Sequence, residues 1–148
     1  MLSKVIDETD RRLLDLLADD SRASLKSLAA AVGMSGPSVA ERIRRLEETG
    51  IIKGFTIEVD PRALGYMLEA VVRIRPQPGK LHVVEKMIRD LPAIAECDKV
   101  TGDDCYIARL FVTDVEEIDR ILDTIADHAM TSTSIVKAKT VARRAPPL

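Results

Sequence analysis

The 148-residue chain contains no apolar run of about 18 residues or more, which excludes a membrane-spanning helix on length alone. Its first residues, MLSKVIDETDRR, lack the apolar segment and small-residue cleavage site of a secretory signal, so a cytoplasmic protein with no membrane partner is expected. Cysteine is scarce. Cys97 and Cys105 build no disulfide framework, fit a reducing compartment, and with only two histidines, His82 and His128, make a poor metal site; each cysteine reads as a small buried hydrophobe. Neither a metal nor a cofactor is expected. A strong charge of either sign is also missing, the formal net charge being −2, and a chain that is 46% hydrophobic and 31% charged does not have the composition of disorder.

The charge that is present is unevenly placed. Residues 1–20 carry six acids against Lys4, Arg11 and Arg12, whereas residues 21–54 carry six bases, Arg22, Lys26, Arg42, Arg44, Arg45 and Lys53, against Glu41, Glu47 and Glu48. The remainder is close to balance, with fifteen acids and thirteen bases. A basic excess confined to one stretch is the footprint of a local DNA-reading element.

Three helical patterns with stops between them occupy that region. Asp7 can cap the first, whose apolar stripe runs through Leu13, Leu14, Leu16 and Leu17. Ser24 can cap a second carrying Leu25, Leu28, Ala29 and Val32, which Gly33 stops. Ser35 can cap a third with Pro37 in its first turn and Val39, Ile43 and Leu46 on one face, ending at Gly50. Ala29 is small where two helices touch and Gly33 makes the turn, the anatomy of a helix-turn-helix; Ser38, Arg42, Arg45 and Thr49 form a stripe beside the apolar face that can meet a major groove. The same pattern also suits a plain helical hairpin whose arginines pair with Glu41, Glu47 and Glu48.

Ile51–Val59 alternates like a strand and closes at Asp60-Pro61. Beyond it the periodicity runs strand, helix, strand, strand, helix, strand over Leu68–Arg75, Lys80–Asp90, Ile94–Thr101, Cys105–Val112, Val115–Asp127 and Thr131–Val141. This is an α+β protein: a helix-turn-helix domain at 1–60, a linker at 61–67, a ferredoxin-like βαββαβ domain at 68–141 and a disordered tail at 142–148. Both helices of that fold cover one sheet face. Cys105, Ile107 and Phe111 put apolar groups on the other face as well, which predicts that a second copy covers it.

The run LAAAVGMSGPSVAERIRRLEETGIIKGFTIEVDPRALG, with ETDRRLLDLLADDSRAS before it and KVTGDDCYIARLFV after it, resembles the Lrp/AsnC (feast/famine) transcription regulators, from about Ile6 to Thr140. The resemblance implies a winged or wingless helix-turn-helix joined to a ferredoxin-like effector-sensing domain of the RAM type, a homodimer that assembles to a tetramer or octamer, double-stranded operator DNA as partner, and an amino acid as effector. It places Ser35, Pro37, Ser38, Arg42 and Arg45 at the recognition-helix positions that approach DNA, with Lys53 near the backbone. Two departures fall where the family binds effectors: its frequent G-D-Y-D reads Gly102-Asp103-Asp104-Cys105, and its glycine-valine step before the last strand reads Ala129-Met130.

The turn Thr101-Gly102-Asp103-Asp104 offers backbone N–H groups, a hydroxyl and carboxylates, a set able to hold an α-amino and an α-carboxylate group, and Thr131, Ser132 and Thr133 can add hydroxyls from the same or a neighbouring subunit. Gly-Asp-Asp is equally an ordinary hairpin turn, and a Ser/Thr run an ordinary edge strand. Two rival functions remain open on the residues alone. One is a ligand-binding or scaffold module without DNA activity. The other is an enzyme using Asp103, Asp104, Cys105, His82 or His128, although Cys105 has no nearby basic partner in sequence and the two histidines begin and end amphipathic helices.

Overall fold

The first helix begins at a reciprocal cap: Asp10 N–H donates to Asp7 Oδ1 at 2.8 Å and Asp7 N–H donates to Asp10 Oδ2 at 3.2 Å. The computed structural model describes residues 6–148, so the expectations attached to residues 1–5 lie outside the described residues. Two units are resolved within it, one of residues up to Glu58 together with Val141–Leu148, the other of Val59–Thr140.

In the first unit α1 spans Glu8–Asp19, α2 Leu25–Val32 and α3 Gly36–Glu48. Ser24 Oγ accepts from Ser27 N–H at 3.1 Å and Ser35 Oγ from Ser38 N–H at 3.3 Å, so both short polar residues cap as expected. Gly33 sits at φ +67, the left-handed conformation that ends a helix cheaply only at glycine. Leu13, Leu17, Leu28, Ala29, Val39 and Leu46 are buried, each large one contributing about 1.5–3 kcal/mol relative to exposure. The alternation over Ile51–Val59 does not produce a strand. No strand pairing is made over the segment among the described residues, and Phe55, Ile57 and Val59 are exposed.

In the second unit a single 3-10 turn at Arg62–Leu64 precedes β1 (Leu68–Pro76), α4 (Leu81–Asp90), β2 (Ile94–Lys99), β3 (Tyr106–Val112), α5 (Val115–Asp123) and β4 (Ala129–Ile135). The sheet order is β2-β3-β1-β4 and each neighbouring pair is antiparallel. Ala70, Val72, Ile74, Tyr106, Ala108, Leu110 and Val112 form the buried face, packed with Val84, Ile88, Ile118 and Ile125. The βαββαβ order matches expectation, but β2 ends at Lys99 rather than Thr101, and β4, α5 and Cys105 also depart from it. β4 starts at Ala129 and ends at Ile135, not Val141, because among the described residues it pairs with β1 alone: Ala129 pairs with Pro76 and Ile135 with Ala70. α5 stops at Asp123, and turns carry the chain to His128. Cys105 is not on the uncovered face: its φ of +64 rotates the backbone out of the strand and its side chain packs against the buried cluster. The uncovered face is therefore mixed, with Val71, Ile107 and Phe111 alternating with Glu69, Arg73, Arg75 and Arg109.

Candidate nucleic-acid interface and effector site

α3 is held by its caps at one end and by Val39 and Leu46 along its length, which fixes where its polar side chains go. Ser35, Pro37 and Ser38 lie exposed at its N-terminus, where the second helix of a helix-turn-helix meets base edges. Ser35 Oγ and Ser38 Oγ are 2.8 Å apart. Lys53 is exposed beyond the helix, with no ion pair among the described residues.

Arg42 and Arg45 do not simply face solvent. Arg42 Nη1 donates to Asp7 Oδ2 at 2.7 Å and to Asp10 Oδ1 at 2.9 Å, and Arg45 Nη2 donates to Asp10 Oδ2 at 2.7 Å. Arg42, 24% exposed, is thus paired to α1, whereas Arg45, 52% exposed, keeps donors free. The hydrogen bond from Arg42 holds the Asp7 carboxyl below its ordinary value, and the Asp10 backbone N–H adds to this. Thr49, the last residue of the stripe, turns its hydroxyl back to Arg45 O at 2.7 Å.

In the sheet unit the Thr101–Asp104 turn is opened by Gly102 at φ +106. Two arginines that sequence reasoning missed approach it. Arg75 Nε donates to Asp103 O at 2.9 Å, and Arg75 Nη2 lies 3.8 Å from Asp103 Oδ2 and 3.7 Å from Asp104 Oδ1, while Arg73 Nε lies 4.0 Å from Asp104 Oδ2. Arg73 pairs in register with Ser132 of β4 and shares its sheet face. Thr131 and Thr133 pair with the inward-facing Ile74 and Val72, so strand alternation puts their side chains on the opposite face from Ser132. Of the three hydroxyls expected here, the register brings only Ser132 to the side of the arginines. The signal for Arg73 and Arg75 was the alternation Val-Arg-Ile-Arg in β1, two cations on the face the core does not use.

The opposite end of β1 borders a cavity of about 230 Å³ lined by Tyr66, Met67, Glu69, Phe111, Lys137 and Lys139 among others, which no sequence pattern announced. Burial, then the neighbouring Asp98 charge, pushes the Cys97 thiol up, away from thiolate character. His82 is exposed at the start of α4. Among the described residues no cluster of three or more His, Cys, Asp or Glu is arranged to hold a metal, and no helix is long and apolar enough to cross a membrane.

A model of winged helix-turn-helix DNA-binding domains matches residues 6–53, and a model of the Lrp/AsnC ligand binding domain matches residues 69–146. The HTH-type transcriptional regulator FL11 of Pyrococcus horikoshii is 33% identical over 120 residues, covering 81% of this chain and 80% of that protein. The HTH-type transcriptional regulator LrpC of Bacillus subtilis is 30% identical over 131 residues, covering 88% of this chain and 91% of that protein. The solved LrpC structure superposes with a TM-score of 0.86 at 29% identity, over 93% of this chain and 99% of that one. A feast or famine regulatory protein from M. tuberculosis, solved in complex with L-methionine, superposes with a TM-score of 0.85 at 29% identity, over 95% of this chain and 97% of that one.

Proposed function

Because the chain belongs to the Lrp/AsnC family of transcription regulators, we propose that it acts in the cytoplasm as a homo-oligomer whose hold on operator DNA is set by an amino acid, or a related small metabolite, bound beside the Thr101–Asp104 turn. On the DNA side, Ser35, Pro37 and Ser38 approach base edges, Arg45 and Lys53 supply contacts to base or phosphate, and Arg42 positions the helix. The regulator has no enzymatic role in this reading, in keeping with relatives named as transcriptional regulators.

One observation carries the effector assignment: Arg73, Arg75, Asp103 and Asp104 gather at the turn with charged atoms 3.7–4.0 Å apart. Charge-assisted hydrogen bonds close to about 2.7–2.9 Å, so these side chains retain unused capacity of both signs. A zwitterion complements them, its carboxylate on the arginines and the backbone N–H groups near Gly102, its ammonium on Asp104, with the Ser132 hydroxyl beside it. Thr131 and Thr133 would serve only a site completed by a neighbouring subunit. The uncovered sheet face, with Val71, Ile107 and Phe111, is the surface through which a dimer would form and higher assemblies build.

A ligand there is held by residues of the sheet unit rather than by the DNA-reading side chains, so it works by favouring one assembly over another; a coupling of about 1–3 kcal/mol changes occupancy about 5- to 150-fold. The test is a calorimetric screen of the standard amino acids, L-methionine first because a relative was solved with it. Wild type should bind a hit that Asp104→Ala does not, while ligand-free DNA binding is retained. A hit that binds both proteins equally would exclude Asp104 from the site.

A further inference from the structure

All three arginines of α3 are tied to carboxylates within their own domain. Arg42 and Arg45 turn to Asp7 and Asp10. Arg44 is gripped from both sides along its own helix: Nε donates to Glu41 Oε2 at 2.9 Å, Nη2 to Glu41 Oε1 at 2.5 Å, and Nη1 to Glu48 Oε1. Both oxygens of Glu41 are engaged, the fork-to-fork geometry in which guanidinium and carboxylate match best. The three side chains are 63%, 57% and 57% exposed for Glu41, Arg44 and Glu48. At about 100° per residue they share the side of α3 opposite the buried Val39 and Leu46. The outward side of the second helix is the one a helix-turn-helix presents to the major groove and its flanking phosphates.

From this arrangement we infer that Glu41 and Glu48 are internal competitors for Arg44, withholding it from DNA phosphates and so lowering affinity for DNA of arbitrary sequence. Exposed ion pairs are marginal and salt-screened, so a phosphate can take Arg44 from its glutamates. Doing so leaves two carboxylates facing a polyanion. The net gain from an indiscriminate phosphate contact is thereby cancelled, and discrimination rests on what the N-terminus of α3 meets. Electrostatic phosphate contacts supply nearly all non-specific affinity, so a device that cancels one raises the ratio of specific to non-specific binding.

The inference rests on the DNA-binding reading, and the experiment separates the two. Full-length wild type, Glu41→Gln/Glu48→Gln, Arg44→Gln and the triple variant are titrated against a labelled random-sequence duplex by fluorescence anisotropy, across about 50 to about 200 mM salt. The double variant should bind the random duplex about tenfold more tightly, with a salt slope steeper by about 0.9 for each phosphate that Arg44 reaches. Arg44→Gln alone leaves Glu41 and Glu48 unneutralised and should weaken binding by about two- to threefold, and in the triple variant the gain should vanish, falling short of the additive expectation as only coupling through Arg44 produces. A gain that survives in the triple variant would mean generic removal of negative charge and would overturn the inference, as would four equal affinities. If none of the four proteins retains DNA, the DNA-binding reading fails and this inference with it. The substituted side chains are all exposed, and thermal melts matched across the four proteins verify that the domain is intact.

Discussion

Arg45 Nη2 lies 2.7 Å from Oδ2 of Asp10, a carboxylate with no exposed surface that also takes Arg42 Nη1 on Oδ1 at 2.9 Å. A buried carboxylate is costly unless it is both neutralised and hydrogen-bonded. Asp10 is both, since Asp7 N–H completes its set. Asp10→Ala deletes half of the α1 cap and the clasp to α3 together. Both arginines are partly exposed and can rehydrate, so the expected loss is about 2–3 kcal/mol, below that of a fully buried pair. Urea unfolding of the full chain measures it, and a loss under about 0.5 kcal/mol would show the clasp to be incidental.

Glu85 gives a pH dependence to the sheet domain. Its Oε2 accepts from Lys99 Nζ and from the buried Tyr106 hydroxyl, both at 2.9 Å, and these hold its carboxyl down to about 2, Lys99 having the larger effect. A carboxyl depressed in the folded state contributes stability that is present above its ordinary value of 4.5 and is lost as pH falls toward about 2. Glu85→Gln should therefore lower stability at neutral pH and flatten its decline across that window. Urea midpoints collected through the window check this, and parallel wild-type and variant curves would contradict it.

Cys105 carries a left-handed φ of +64 that non-glycine residues adopt at a cost of about 1–3 kcal/mol. A β-branched side chain suffers most there, so Cys105→Val should destabilise by about 1–2 kcal/mol despite its apolar surroundings. Cys105→Gly relieves the strain, loses a little packing and adds unfolded-state freedom, leaving a net change within about 0.5 kcal/mol. Chemical denaturation should rank glycine above valine; the reverse order would mean that packing outweighs the backbone.

Ile107 and Phe111 stand on the uncovered sheet face four positions apart in β3. If a second copy covers that face, Ile107→Glu buries an unpaired charge at the contact and should split the assembly. Sedimentation of the full-length protein reads this out directly. A wild-type monomer, or a variant with unchanged mass, would move the subunit contact elsewhere.

The parts legible in the sequence were those decided within a few residues. Asp7, Ser24, Ser35 and Gly33 cap or stop helices through bonds spanning three to five positions, and they do so in the structure. The stripe of Arg42 and Arg45 shows where the periodicity ran out. A helical wheel gives an angle on α3 but not what stands opposite, and Asp7 and Asp10 are 32–35 residues away. The end of β4 was unreadable for a similar reason, since it depends on the length of β1. Cys105 left its expected face because one backbone rotation overrides alternation. Arg73 and Arg75 were visible as a pattern, yet nothing in the pattern says that a turn some thirty residues later folds over them.

The sheet order also sets a timetable for the nascent chain. β1 is a central strand, but its neighbours are β3, which begins at Tyr106, and β4, which begins at Ala129, so neither side of β1 is paired until most of the chain has been made. The three N-terminal helices close through contacts within residues 6–58 and need no such wait. Local contacts form fast and long-range antiparallel pairing slowly. Refolding followed by stopped-flow should accordingly resolve a rapid helical phase from a slower sheet phase. During synthesis the three N-terminal helices can pack while β1 still offers two bare edges, and the chain's most aggregation-prone moment falls between the emergence of β1 and that of β4.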